Sequence, residues 1–195
     1  MWTPRIVLLI TLLLTSGGWF DTLLPRGKKA AVLVLLPALF ALSFVPTLRE
    51  PVVRVCAAPC AFALFAAVLC PTEHPFGALA AAMLGGVVGW KLCDALPLFP
   101  EQGFLIAAPT VLTAMLYGRD RNARLLAIAA APFVMLLLRS IGDYTLFKSA
   151  VLELGDADAF AAQTMGLFFM LLGTAAFAAW QTRTKRAKTA LFPGT

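Results

Sequence analysis

This 195-residue sequence contains one histidine, four cysteines and ten carboxylates, and each shortage closes off a class of chemistry. With His74 alone, histidine-based acid–base catalysis lacks its members. His74 stands beside Glu73 in "CPTEHPFG", where a solvated loop histidine is the plain reading and a pH sensor or a shared metal ligand the sharper one. No G-x-S-x-G, no H-E-x-x-H, no phosphate-cradling P-loop and no magnesium-holding acidic motif occurs. The expectation is therefore a non-enzyme with no catalytic residue. Asp94 and Asp143 are the best acids that an intramembrane enzyme could recruit. Cys56, Cys60 and Cys70 share one apolar segment and Cys93 ends another, whereas a disulfide framework would place cysteines in polar loops. They read as free thiols serving as small hydrophobes. Cys56 and Cys60 fall on one helix face, but no second ligand pair accompanies them, so neither a metal nor a cofactor is expected.

Charge is scarce as well. Only 13% of residues are Asp, Glu, Lys or Arg and 61% are hydrophobic, against about 25% and about 45–50% in a soluble domain. The mean hydropathy is +0.86. A water-soluble fold of this size leaves too much surface exposed to hide so much apolar material, so the solvent is lipid. The net charge of +6 lies in short basic runs between apolar segments. That is how membrane proteins fix orientation, and nucleic acid is not an expected partner.

A spanning helix needs about 20 mostly apolar residues. Seven stretches come close: Ile6–Leu24, Ala30–Leu48, Val52–Cys70, Phe76–Leu96, Gly103–Gly118, Leu125–Leu138 with an extension to Phe147, and Ala159–Trp180. The fold expected is an all-α polytopic bundle of about seven spans, with six spans plus a re-entrant segment as the rival. Residues 1–182 form one transmembrane domain and 183–195 a basic cytoplasmic tail. The opening "MWTPRIVLLITLLLTSGGWF" lacks an A-x-A-like cleavage site and runs into "PRGKK", as an uncleaved anchor does. With the amino terminus outside, the basic clusters at Arg26–Lys29, Arg119–Arg124 and Arg183–Lys188 all fall inside, as the positive-inside rule requires. A six-span chain would put one of them outside. A bacterial plasma membrane with a cytoplasmic carboxyl terminus is the matching location.

Prolines 37, 59, 109 and 132 interrupt apolar runs and predict kinks, which either shape the bundle or open a cavity. "ALAAAMLGGVVG" repeats small residues every fourth position: Ala81, Gly85 and Gly89 on one stripe, Ala78, Ala82 and Gly86 on the next. Such stripes let helix backbones approach closely, against another helix of this chain or against a second protein or copy. No internal repeat supports an inverted-repeat transporter.

Ionisable groups at membrane depth are functional suspects. Lys91 and Asp94 share a face at the end of the fourth span, Arg139 and Asp143 at the end of the sixth, and Arg49 and Arg54 lie on the same outer side. The bolder reading joins the two pairs into a polar mouth that binds an anionic headgroup or small solute. The blander one has each pair snorkel and close a local salt bridge at the interface, flanked by Trp90 and Tyr144. In that reading "RSIGDYTLFK" marks an exit from the membrane into an irregular or amphipathic outer segment ending at "ELGDAD". Asp21 is expected to pair with Arg26 or Lys28.

In size, in its short opening span with a basic turn, and in "PLFPEQGFLIAAPTVL" and "APFVMLLLRSIGDYTLF", the chain resembles the YphA-like small membrane proteins of spore-forming Gram-positive bacteria. The resemblance covers residues 76–170. It implies a multi-pass membrane protein and assigns no residue a role. Two functions follow as expectations: a non-enzymatic assembly or accessory component acting through helix packing, or a small solute transporter or its substrate-binding membrane subunit. The partners expected are the lipid bilayer and, for the first, a membrane protein or a second copy.

Overall fold

The computed structural model describes residues 3–20, 26–49, 53–69, 71–100, 102–147 and 151–191, with side chains omitted at 26–28, 49, 69, 146–147 and 183–191. Asp21, Cys70 and Lys148 lie outside the described residues. Among those described, seven helices are present: α1 (Thr3–Ser16), α2 (Arg26–Leu42), α3 (Ala57–Leu69), α4 (Pro75–Ala95), α5 (Gln102–Tyr117), α6 (Arg121–Phe147) and α7 (Ala157–Leu191). Three are long and apolar enough to cross a membrane, over Pro75–Ala95, Arg121–Thr145 and Ala157–Thr182. The other four are apolar but shorter.

The first three expected spans come out shorter than the apolar runs that hold them. α1 stops at Ser16, and the chain turns through Gly18, whose φ of 81° suits a residue without Cβ. α2 and α3 give up their facing ends to strands. β1 (Leu48–Arg49) pairs antiparallel with β2 (Val53–Val55), and β2 pairs in parallel with β3 (Leu152–Leu154). The fold is mostly helical as expected, with a short three-stranded sheet of order β1-β2-β3 that the expectation did not include. The physical reason is in "VPTLREPVVRV": two prolines bar a helix through the segment, and β-branched valines suit a pleated ladder. Arg54 and Glu153 are register partners, and Arg54 Nη1 lies 3.0 Å from Glu153 Oε1.

Successive helices run in opposite directions. Arg5 at the start of α1 donates to the Ser43 carbonyl (2.8 Å) and Ser43 Oγ (3.1 Å), just past the end of α2. Thr72, before α4, donates to Asp120 Oδ1 at 2.9 Å, and that carboxylate precedes α6. A Cβ on Gly77, at the start of α4, would meet the Tyr117 carbonyl at the end of α5. One end of the bundle thus gathers the sheet, the ends of α2, α4 and α6 and the starts of α3, α5 and α7. We call it the sheet end. The opposite end holds the loops around Thr72 and Asp120.

Pro37, Pro109 and Pro132 sit inside α2, α5 and α6. Pro59 does not kink a helix as expected. It stands in the first turn of α3, where backbone donors have no helical partner in any case. α7 is the longest helix at 35 residues. It carries on through 183–191, so the expected basic tail is an extension of the last helix as far as Leu191.

Candidate functional site

The small-residue stripes of α4 are both used inside the chain. Ala81, Gly85 and Gly89 are buried against α5. The Thr113 hydroxyl donates to the Ala81 carbonyl across this contact at 3.0 Å. A Cβ on Gly85 would stand 2.8 Å from Thr110 Cα, and one on Gly89 3.1 Å from Ile106 Cα. On the neighbouring stripe, a Cβ on Gly86 would stand 2.8 Å from the Ala131 carbonyl oxygen of α6. Backbone meets backbone at these points, which only glycine permits. Phe76, Leu79, Met83 and Val87 on the remaining face are exposed.

Sequence reading missed Gln163, which is fully buried in α7. Its Nε2 donates to the carbonyls of Ala129 in α6 (2.8 Å) and Pro59 in α3 (3.3 Å). Pro132 has no N–H to give the Ile128 carbonyl and its ring pushes the preceding turn open. The amide lands on the next carbonyl along. A lone amide inside "AFAAQTMGLFF" was the available signal, because polar groups in an apolar helix are retained to bond across helices. Buried threonines answer to their own helices instead: Thr11, Thr110 and Thr164 donate to carbonyls four residues back at 2.7–3.0 Å. Among the described residues, Gln163 Oε1 is the buried side-chain polar atom without a partner.

At the sheet end, α4, α5, α6 and α7 part around a cleft of about 510 Å³, within the range of small-molecule sites. α4 and its following loop contribute Trp90, Cys93, Asp94 and Pro97. α5 contributes Gln102 and Ile106, and α6 Met135 and Arg139. Asp156 and Asp158 come from the start of α7. Three carboxylates and one guanidinium therefore face one space. Gln102 holds the rim, its Nε2 donating to the carbonyls of Leu96, Pro97 and Phe99 at 3.2–3.3 Å.

Asp156 is placed by the fold. Gly155 before it has φ of +83° and packs on Pro59, leaving no room for a Cβ. The chain then turns into α7, and Asp156 Oδ1 accepts from the Ala159 N–H at 2.6 Å as a helix cap. Burial pushes its carboxyl above the usual aspartate range and outweighs the lowering by that hydrogen bond; Asp158 and Glu153 push it further up, and Arg139 draws it down.

The four charged residues singled out from sequence separate here. Asp94 and Arg139 line the cleft. Lys91 stands at its rim, with Nζ 3.9 Å from Asp94 Oδ2 and 4.0 Å from the centroid of the Trp90 ring. Asp143 is exposed and outside the lining. The local pair expected between Arg139 and Asp143 does not form, and α6 continues past both without a break. Among the described residues no cleft carboxylate comes within 4 Å of the guanidinium either. Sequence reading also missed Asp156 and Asp158 as members of this site. The signal was an aspartate placed to cap the apolar run that follows. Among the described residues no group of three or more His, Cys, Asp or Glu could hold a metal ion.

Comparison of the chain with family models, with curated proteins and with solved structures finds no match.

Proposed function

We propose that the chain is a seven-span membrane protein that takes a small polar ligand in the cleft at its sheet end, as a solute transporter or the substrate-binding membrane subunit of one. The observation that carries this reading is the Arg139 guanidinium. Among the described residues it has no ion-pair partner within 4 Å, although it shares a cleft of about 510 Å³ with Asp94, Asp156 and Asp158. Opposite charges held apart around a space are arranged for something between them. The assembly reading draws less support, because the stripe that would recruit a partner helix is occupied by α5 and α6.

Alternation of helix direction supports seven spans. α1, α2, α3 and α5 fall short of about 30 Å of hydrocarbon, and a thinned bilayer around them accommodates that. Arg119, Arg121, Arg124 and the basic runs that open α2 and end α7 belong to the end of the bundle opposite the sheet, which favours an outward sheet end in a bacterial plasma membrane. A place among the YphA-like proteins belongs to the same proposal.

Two measurements test it. An export-dependent reporter fused after Thr195 stays silent if the carboxyl terminus is cytoplasmic; activity there reverses the orientation. A screen of polar solutes by thermal melting of the purified protein should find one that raises the melting temperature of the parent but not of Arg139→Gln. A screen in which every solute acts equally on both removes the cleft from the reading.

A further inference from the structure

We propose that the cleft selects a zwitterion: a ligand carrying an ammonium and a carboxylate or phosphate on one small frame, with an apolar body attached. This rests on the binding reading above and names its ligand class. The other simple classes fit the lining badly. A lone anion would meet Arg139 but also three carboxylates on the opposing elements. A lone amine would satisfy a carboxylate and leave the guanidinium as it is. A metal ion finds no convergent set of ligands among the described residues.

A zwitterion answers both signs at once. The guanidinium fork matches a carboxylate or phosphate in two parallel hydrogen bonds. The corner between Trp90 and Asp94 already shows which group it accepts, because the Lys91 ammonium sits 4.0 Å from the ring centroid and 3.9 Å from the carboxylate. Lys91 is held there by contacts at an exposed rim, so a ligand ammonium competes with it rather than with a buried pair. The space of about 510 Å³ exceeds a zwitterionic head alone. Ile106 and Met135 line its inner wall, and they suit an apolar body. A free amino acid with a large apolar side chain and the headgroup region of an ethanolamine phospholipid share this chemistry.

The test uses the full chain in nanodiscs of phosphatidylglycerol. Binding is measured by calorimetry for L-leucine and phosphoethanolamine, and for 4-methylpentanoate and isoamylamine, which keep the leucine body with one charge. A zwitterion should bind at least about tenfold tighter than either single-charge compound, the scale of one lost hydrogen bond to a charged group. Arg139→Gln should remove that margin while melting like the parent without ligand. If that variant does not fold, Asp94→Asn replaces it, with the same loss expected because it removes the carboxylate at the ammonium corner. L-leucine binding identifies a free solute. A phosphoethanolamine response, or a higher melting temperature in phosphatidylethanolamine nanodiscs than in phosphatidylglycerol ones, identifies a lipid headgroup. Both outcomes support the proposal. Isoamylamine binding as tightly as L-leucine overturns it while leaving a cation-binding cleft. If neither probe nor lipid has any effect, the proposal and the binding reading fall together.

Discussion

Within one stretch of α4 the same helix meets its neighbours in two opposite ways. At Gly85 and Gly86 its backbone lies against the backbones of α5 and α6, with no space for a single added carbon. From Trp90 to Asp94 larger side chains meet the same two helices, Trp90 and Cys93 packing against Ile106 and Met135, and a cleft opens beside them. One continuous helix, Pro75–Ala95, with no proline past its first turn, runs through both regimes. Side-chain size makes the difference: "ALAAAMLGGVVG" brings the helices together and "WKLCD" keeps them apart. A bundle that opens at one end needs no hinge, only a change from small to large residues along a shared face.

The largest expected effect comes from erasing the closed half. Gly86→Leu puts a branched side chain where the Ala131 carbonyl already stands at 2.8 Å from the first carbon. The loss should exceed about 3 kcal/mol, the upper end of ordinary overpacking, because a backbone atom cannot step aside. Val88→Leu, on the exposed face of the same helix, is the control and should melt like the parent. Equal melting of the two variants would mean that α4 and α6 do not touch there.

Next in size is the amide that ties α7 to α3 and α6. Gln163→Leu keeps the volume but loses both hydrogen bonds, and should cost about 1–2 kcal/mol in denaturant unfolding at typical values per bond. A gain in stability would show that the unpartnered Oε1 outweighs the two bonds made by Nε2.

A smaller effect, with a definite sign, belongs to the open half. The Asp156 carboxyl titrates higher in the folded protein than in the unfolded chain. The folded state therefore holds the proton more tightly. The stability contributed by the neutral form is fully present below the unfolded pKa and is lost as pH rises through the folded one. Asp156→Asn still caps α7 and cannot ionise. It should melt above the parent at neutral pH, with the advantage fading as pH falls to the ordinary aspartate range, about 4. An advantage that grows on acidification would show that the carboxylate is the stabilised form.

The smallest change is expected at Asp143. Exposed and unpaired with Arg139, it should tolerate Asp143→Ala within the range of about 0–1 kcal/mol typical of surface charges. Arg139→Ala should not deepen that loss when the two are combined. A rescue of one by the other would restore the local pair that the structure lacks.

The closed half was largely legible in the sequence and the open half was not. Glycine and alanine at every fourth position state a close helix contact by themselves, since the information is local to α4. The cleft draws on residues 94, 139, 156 and 158, and no short window contains both Asp94 and Asp158. Its polar members are brought together by helix order, which spacing within a helix does not encode. The sheet failed to register for another reason. Apolar residues in "REPVVRV" add to a hydropathy sum as readily as helical ones, so the runs either side appeared long enough to span. The valines and prolines that break them act through backbone preference, to which an apolar count is blind.

The parallel pairing of β2 with β3 also sets an order of events. Residues 53–55 are made early and their partners 152–154 only after four helices, α3 to α6, have followed. Until then one edge of β2 has backbone donors and acceptors with nothing to bond, the condition that invites wrong pairing. Contacts so distant along the chain form late. The last strand therefore works as a latch, closing the sheet only once α3 to α6 have been made and before α7 follows.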